Sequence, residues 1–411
     1  MPRAGWKKPE SERRLADLVS VGVLTRVFPP GLVDEVIEAA GRREQRHRSL
    51  PARVMAYFAI GMALYSEGSY EDVLSQLTDG LSWASGWQES YTPPSKSAIF
   101  QARARLGSGP VKALFEAVAA PIGTEAMPGV WLAGRRLVAV DGYCLDVADT
   151  VENDDFFGRP GVNKGERAAF PQARVVALAE CGTHAIFAAQ VGAYRQSEST
   201  LTASLLSALS PGMLVLADRG FFSYALWRSA IATGADLLWR VRTDPTAPTP
   251  VHVRDLDDGS WLAHLRRKTP ASARAQEPML VRVIDYRLED GRDNDTSYRL
   301  FTTLLDPGEA PAADLAAAYA QRWEIELAFD ELKTHQRGPR TVLRSKSPDL
   351  VLQEIWGHLC CHYAIRTLMT DAALHGGHDP DQVSFVAALR ITRQTIAHPG
   401  AFPPSRHPRR P

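Results

Sequence analysis

The chain has 411 residues, with 47 basic and 47 acidic side chains and a hydrophobic fraction of 45%. This length predicts two or three domains with sizeable cores. The zero formal net charge excludes a global field that attracts polyanions, so any nucleic-acid surface must be a local patch.

Two further features predict where the protein works. Its four cysteines have neither secreted spacing nor a CxxC pair, which favours a reducing compartment. The first residues, MPRAGWKKPESERR, are charged and lack the apolar stretch of a signal peptide. No apolar run approaches the ~20 residues that a membrane span needs. We therefore expect a soluble cytoplasmic protein with no membrane partner, which would associate with the nucleoid if a local patch of its surface binds DNA.

Residues 1–125 are predicted to form a helical domain, because apolar residues recur there at helical spacing. Between two of these helices, residues 42–53 hold a dense basic cluster. In PSKSAIFQARARLG, a short helix is predicted to expose Ser97, Gln101 and Arg105, with Arg103 grouped beside them. Such a face suits a DNA groove, and the alternative is an ordinary solvated helix.

The pattern changes to strands in the next segment, residues 126–242. Three strands are followed by a helix, a strand, a helix and a strand, which predicts an α/β layer with a partly parallel sheet. Residues 243–300 are rich in turns and short β segments and are predicted to be a β-rich insertion. Residues 301–395 return to helices, and the basic, Pro-rich tail at 396–411 is predicted to be disordered.

The segment YAQRWEIELAFDELK, residues 319–333, is predicted to be one helix with an unusual distribution of charge. At about 100° per residue, Tyr319, Arg322, Glu326 and Lys333 fall within an arc of about 60° beside an apolar stripe. Glu324 and Glu331 are predicted to face water on the far side. An acid and two bases are therefore expected to face the interior.

Two other acids follow apolar strands, Asp141 after LVAV and Asp218 after MLVLA. Ligands of α/β sheets gather at the carboxyl ends of strands. If both meet Glu326, three oxygen donors share a pocket that suits Mg²⁺, with Mn²⁺ as a substitute. Two such ions assist phosphodiester cleavage and transfer. The alternative is an internal salt-bridge cluster in which Arg322 and Lys333 neutralise the acids.

These motifs resemble those of DDE transposases of the insertion-sequence-four (insertion element 4) family, over roughly residues 10–395. The resemblance lies in VLTRVFPPGLVDEVIEAAGRREQRHRSLPARVMAYFAIGMALY, in LVAVDGYCLDVADTVEN and GMLVLADRGFFS, and in the Tyr-x2-Arg-x3-Glu-x6-Lys spacing of residues 319–333. It implies an RNase-H-like mixed sheet with flanking helices and a β-rich insertion, an all-α N-terminal domain and C-terminal helices. The 107 residues between Asp218 and Glu326 leave room for the insertion.

The resemblance also implies roles for individual residues. Asp141, Asp218 and Glu326 become the catalytic, metal-binding triad, and Tyr319, Arg322 and Lys333 hold the transposon end. Some members flip a base onto an aromatic ring, for which Trp261 in the insertion is the candidate. Trp239 and Trp323 are the rivals, and both are expected to pack in the core.

The implied activity is cleavage at terminal inverted repeats and strand transfer to target DNA, with double-stranded DNA and a second copy of the chain as partners. Two alternatives stay open: a metal-dependent nuclease without transposition, and a non-catalytic DNA-binding derivative. Many members carry a small hydroxyl residue where this chain has Tyr143, whose ring either alters access to the metal or faces away. Asp146 is a second acid nearby, and the preceding LVAV favours Asp141.

Overall fold

The computed structural model describes residues 22–45, 50–84, 94–161, 167–244, 248–265, 278–287, 297–338 and 341–396. The chain divides into two compact units: one holds residues 1–118, 332–369 and 383–411, the other 119–331 and 370–382. Most of the predicted tail, residues 396–411, lies outside the described residues. The predicted domain boundaries remain predictions. Within the described residues, no helix combines the length and the apolarity of a membrane span.

The elements of both units follow in chain order. The α-helices are α1 (Gly22–Val27), α2 (Pro30–Ala39), α3 (Ala52–Leu64), α4 (Tyr70–Ala84), α5 (Lys96–Leu106), α6 (Gly109–Val118), α7 (Val151–Phe157), α8 (Glu198–Ala203), α9 (Tyr224–Ile231), α10 (Ala312–Ala320), α11 (Trp323–Asp330), α12 (Pro348–Gly376) and α13 (Phe385–Ile396). The strands are β1 (Trp131–Leu132), β2 (Arg135–Asp146), β3 (Gln172–Glu180), β4 (Ile186–Ala193), β5 (Met213–Ala217), β6 (Asp236–Val241), β7 (Pro250–Asp255), β8 (Trp261–Leu265), β9 (Met279–Arg287) and β10 (Ser297–Thr302). A π-helix spans Glu331–Gln336, and short 3-10 turns span Leu206–Ala208 and Pro380–Gln382.

The first unit is helical, and α3 lies at its centre. From Val54 to Leu64 every residue of α3 is buried, because apolar residues cover all of its sides rather than one stripe. Gly357 of α12 packs against the backbone of Ala59, where a Cβ would clash with the carbonyl oxygen. This close approach requires a residue without a side chain at position 357.

The second unit is built on one ten-stranded sheet, in which nine strands have the order β4-β3-β2-β5-β6-β10-β9-β8-β7 and the short β1 pairs with β2. Strands β2, β3 and β4 pair antiparallel, whereas β5 pairs parallel to β2, and β6 parallel to β5. This order and these directions are those of an RNase-H-like sheet, and they confirm the predicted fold class. The core beneath the sheet includes Trp227, Trp239 and Phe301.

The predicted insertion is continuous with the core sheet. Strand β10 pairs antiparallel with β6, and β9, β8 and β7 follow outward in turn. The insertion therefore covers the edge that β6 would otherwise expose.

The prediction of one unbroken helix over residues 319–333 is wrong. Helix α10 ends at Ala320, α11 begins at Trp323, and the π-helix begins at Glu331. The backbone N–H groups of Arg322 and Ile325 bond three residues back, to Tyr319 and Arg322, so a tight turn joins α10 to α11. Tyr319 and Arg322 thus lie at this junction rather than in a regular helix.

Candidate active site

The register of three parallel strands aligns three polar residues just beyond the end of β5. The prediction that Asp141 ends its strand is wrong, because β2 continues to Asp146 and pairs with β3 there. Val140 of β2 pairs with Ala217 of β5, and Ala217 pairs with Trp239 of β6. The next residue in each chain segment is polar: Asp141, Asp218 and Arg240. Because adjacent parallel strands keep this register, the three side chains start from neighbouring backbone positions.

The junction between α10 and α11 connects these strands to Glu326. The Tyr319 hydroxyl donates a hydrogen bond to Asp218 Oδ1 at 3.2 Å. Arg322 donates from Nη1 to Asp141 Oδ2 and from Nη2 to Glu326 Oε1, both at 3.1 Å. Predicted site residues from distant parts of the sequence therefore meet at one place in the second unit.

Burial shapes the electrostatics of this cluster. It raises the pKa of Asp141 to about 6, against the lowering effects of the Gly142 N–H and of Arg322. The negative charges of Glu326 and Glu198 raise that pKa further. Burial works to lower the pKa of Arg322, but the surrounding oxygens outweigh it and the net pKa is raised. Arg322 therefore does not fully offset the burial that disfavours the charged form of Asp141.

The donor set fits divalent cations that prefer oxygen. The side chains of Asp141, Asp218 and Glu326 are 20%, 32% and 40% exposed, so each carboxylate is accessible to a solvated ion. Among the residues that the structure describes, these three do not bring one oxygen each within 4.8 Å of the others. Arg322 instead bridges Asp141 and Glu326. The Arg322 part of the salt-bridge alternative is thus present beside the carboxylates, and the part that involves Lys333 remains a prediction.

Arg240 belongs to this site, although sequence reasoning missed it. Its Nη1 lies 3.7 Å from Asp218 Oδ1, and its guanidinium lies over the ring of Tyr298, 4.1 Å from the centroid. Tyr298 stacks on Tyr286 with a centroid separation of 5.2 Å. The available signal was a polar residue following the apolar run LLW, as Asp218 follows MLVLA.

The three tryptophan candidates differ in environment. Trp261 is half-buried in β8, stacks on His252 and donates from Nε1 to Asp285 Oδ2 at 3.3 Å. Trp239 is buried against Trp227, as expected. The expectation that Trp323 packs in the core is wrong, because it is 58% exposed at the start of α11.

The structure confirms the exposure of most of the predicted DNA-binding face of α5 but not of all its residues. Gln101 and Arg105 are exposed, as is Ser97. Arg103, which was grouped with them, is fully buried, because its guanidinium donates to Gln353 Oε1 at 2.9 Å and to the Ser345 hydroxyl at 3.1 Å. Only Gln101 and Arg105 of the predicted contacts therefore combine exposure with a long polar side chain.

Charges in the basic cluster at 42–53 are partly paired within the first unit. Arg43 forms an ion pair with Glu38, and Arg53 forms one with Asp34. The cluster residues at positions 46–48 lie outside the described residues. Lys333 lies in the π-helix Glu331–Gln336, which belongs to the first unit except for Glu331.

Two other predictions concern the neighbourhood of Asp141. Tyr143 is buried, and its ring packs on Phe329 of α11 with a centroid separation of 4.4 Å. Asp146 lies at the end of β2 and accepts a hydrogen bond from Gln172 at 2.8 Å. Of the two acids, Asp141 is the one that contacts Arg322.

The prediction that Glu324 and Glu331 face water is wrong. Glu331 is 8% exposed, and Glu324 accepts a hydrogen bond from the Gly182 N–H. Both carboxylates lie near His184. The β3–β4 turn, through Gly182 and His184, lies against Glu324 and Glu331, so protein rather than water surrounds these carboxylates.

Two family models match most of the chain. Residues 18–116 match the model described as insertion element 4 transposase N-terminal, and residues 132–364 match the transposase DDE domain. The matches cover α1 to α5 and most of α6 in the first unit, and then the sheet with α7 to α11 and part of α12.

Individual proteins are also similar. The transposase InsG for insertion sequence element IS4 of Escherichia coli K12 is 31% identical over 380 residues, covering 91% of this chain and 84% of InsG. The putative transposase InsZ of the same strain is 32% identical over 145 residues, covering 35% of this chain and 48% of InsZ. A piggyBac transposase in a synaptic complex with hairpin DNA superposes with a TM-score of 0.46 at 10% identity, over 92% of this chain and 80% of that one. The two family matches and the extent of the similarity to InsG establish that this chain belongs to the insertion element 4 family of DDE transposases.

Proposed function

We propose that this protein binds the terminal inverted repeats of an insertion sequence, cleaves the DNA there, and joins the freed 3′ ends to target DNA. Asp141, Asp218 and Glu326 are the residues that would hold Mg²⁺, with Mn²⁺ as a substitute. The observation that carries the proposal is the convergence of these acids through Tyr319 and Arg322. Family membership gives the reaction class.

When bound, the ions would activate an attacking oxygen and stabilise the leaving oxygen during in-line displacement at phosphorus. The attacking oxygen is water in the first step and the new 3′ hydroxyl in strand transfer. In each step one P–O bond forms and one breaks, and the proton of the attacking oxygen leaves to solvent or a carboxylate.

The side chains around the acids have separate tasks. Tyr319 fixes one oxygen of Asp218 through its hydroxyl, and burial raises its pKa so that it stays a donor. Arg322 neutralises Asp141 and Glu326. When metal ions balance the charge of these acids, Arg322 would be free to contact a phosphate. Arg240 offers a second guanidinium beside Asp218. Lys333 is proposed to hold a phosphate of the transposon end.

More distant contacts to DNA follow from exposure. Gln101 and Arg105 on α5 are proposed to contact the terminal repeat, since both are exposed on a helix of the first unit. Trp261 is proposed to stack on a flipped base, which requires its ring to leave or share the contact with His252. Two copies of the chain are expected to pair the two transposon ends.

The test is an assay in vitro with plasmid DNA carrying the inverted repeats that flank the gene, and a matched plasmid without them, each with and without Mg²⁺. The proposed function predicts Mg²⁺-dependent cuts at the repeat ends followed by joined products. Equal cutting of both plasmids would instead identify a nuclease without transposition. Repeat-specific binding without cutting at any Mg²⁺ or Mn²⁺ concentration would identify a non-catalytic DNA-binding derivative.

A further inference from the structure

A second cluster of potential metal ligands lies on the reverse side of α11. It consists of His184 from the β3–β4 turn, Glu324 from α11 and Asp381 from the 3-10 turn Pro380–Gln382, all in the second unit. One ligand atom from each lies within 4.8 Å of the others, and this is the one group of three with that property among the described residues. None of the three belongs to the acid cluster around Arg322.

The spacing of these atoms matches that around one ion. His184 Nε2 lies 3.2 Å from Asp381 Oδ1 and 3.9 Å from Glu324 Oε2. Atoms bonded at about 2.0–2.2 Å to a tetrahedral Zn²⁺ are about 3–4 Å apart. The three atoms could therefore bind a single ion after only small shifts.

The surroundings of His184 support a ligand role for its ring. His184 is 5% exposed, and its other ring nitrogen, Nδ1, lies 3.7 Å from Glu331 Oε1. A carboxylate beside the second nitrogen is the usual arrangement for orienting a metal-binding histidine. Glu331 thus lies just beyond hydrogen-bond distance of Nδ1, and a proton held there would leave the Nε2 lone pair facing Glu324 and Asp381.

Charge in this cluster is unbalanced. Glu324 and Asp381 both approach one ring nitrogen of His184, and Glu331 approaches the other, so three carboxylates surround a single imidazole. A divalent cation would compensate the negative charge of the carboxylates that surround this single histidine. Asp381 is 41% exposed at its side chain, which leaves a path for an ion and for solvent in a fourth position.

We infer that His184, Glu324 and Asp381 form a binding site for a divalent transition-metal ion of the Zn²⁺ type, separate from the Mg²⁺ site proposed for DNA cleavage. The mixed nitrogen and oxygen donors favour such an ion, because Mg²⁺ prefers oxygen ligands alone. Its role is to fix α11, which carries Glu326, to the β3–β4 turn and to residues 379–381. The inference does not depend on the proposed DNA chemistry.

The experiment measures Zn²⁺ binding by isothermal titration calorimetry on the full-length, chelator-treated protein in excess Mg²⁺. The wild type and Glu326→Gln are both expected to bind one equivalent of Zn²⁺, and Zn²⁺ is expected to raise the Tm of both. His184→Asn is expected to lose this equivalent. Asparagine suits the test because His184 has φ 55°, a backbone conformation that Asn tolerates well.

Matched variants complete the test. Asp381→Asn is expected to lose the equivalent as well and decides the question if His184→Asn is unfolded by circular dichroism. Glu331→Gln should weaken binding about tenfold or more, as expected for a residue that orients a ligand. Asp379→Asn changes an acid of the same segment that is not one of the three ligands, and this variant should still bind one equivalent of Zn²⁺. Absence of Zn²⁺ binding by the wild type, or equal binding by the folded His184 and Asp381 variants, would overturn the inference and leave an ion-pair network.

Discussion

Tyr319 donates its hydroxyl hydrogen to Oδ1 of Asp218 at 3.2 Å, across 101 positions of sequence. The ring is 4% exposed, and burial raises its pKa, so the hydroxyl remains protonated at any working pH. Arg240 approaches the same oxygen from β6 at 3.7 Å. The orientation of the Asp218 carboxylate is therefore set from a helix end and from a neighbouring strand at once.

Removing that hydroxyl should lower activity without unfolding the protein. Tyr319→Phe keeps the buried ring and loses one hydrogen bond, which contributes about 0.5–1.5 kcal/mol. We expect cleavage to slow by roughly three- to tenfold, with a Tm close to that of the wild type. The control is Tyr194→Phe, whose ring lies under Arg174. A Tyr319→Phe enzyme as fast as wild type at limiting Mg²⁺ would contradict this role.

Neutralising Glu326 should separate DNA binding from DNA cutting. Glu326→Gln keeps the shape and the hydrogen bond acceptor for Arg322 but removes the charge of a proposed metal ligand. We expect cleavage to fall at least about 100-fold, because metal assistance supplies several kcal/mol, while binding to the terminal repeats is retained. Gel-shift and nicking assays on one substrate measure both. Persistent Mg²⁺-dependent nicking would show that another acid takes this place.

Truncating Arg322 tests whether the bridging guanidinium serves the reaction or the fold. Arg322→Ala leaves Asp141 and Glu326 without their shared cation. We expect a folded protein with strand transfer reduced more than cleavage, and a lowered Tm that Mg²⁺ recovers by supplying the missing charge. Circular dichroism and a two-step strand-transfer assay give the two readouts. An unfolded variant would favour a purely structural salt bridge.

The raised pKa of Asp141 gives a pH-dependent signature. Protons bind the folded form more tightly than the unfolded chain, so stability from this group is highest below about pH 4 and falls as pH rises to about 6. Without metal, Asp141→Asn should therefore stabilise the protein at pH 7.5 by about 1–3 kcal/mol and have no such effect at pH 4. Urea unfolding at both pH values, with Mg²⁺ omitted, measures the difference. An equal effect at both would refute the shift.

The contact between α3 and α12 should be intolerant of a single methyl group. Gly357→Ala places a Cβ against the Ala59 carbonyl, which we expect to cost about 1–3 kcal/mol. Gly31→Ala is the matched control, since no atom lies within 4 Å of its added Cβ and alanine favours a helix. Thermal unfolding should show the first variant destabilised and the second unchanged or slightly stabilised. Equal Tm values would mean that α12 moves freely.

Periodicity and two apolar runs followed by an acid were enough to predict the sheet and the proximity of Asp141 to Asp218, although Asp141 lies within β2 rather than at its end. Both depend on local patterns, apolar runs that end in a carboxylate, and on a general rule of parallel sheets. Arg240 was not predicted as a site residue because it lies inside β6, and a single arginine in an apolar strand is also expected at the solvent-exposed edge of a sheet. The prediction that Glu324 and Glu331 face water was wrong because His184, which comes from a distant part of the sequence, covers them.

The junction of β6 with β10 has a consequence for how this enzyme family varies. Strands beyond β6 are added one beside the next, so β7 is the outermost. A hairpin gained or lost at that margin leaves the pairing of Ala217 with Trp239 untouched. The segment between Asp218 and Glu326 can therefore vary in length among relatives without changing the register that places Asp141 beside Asp218.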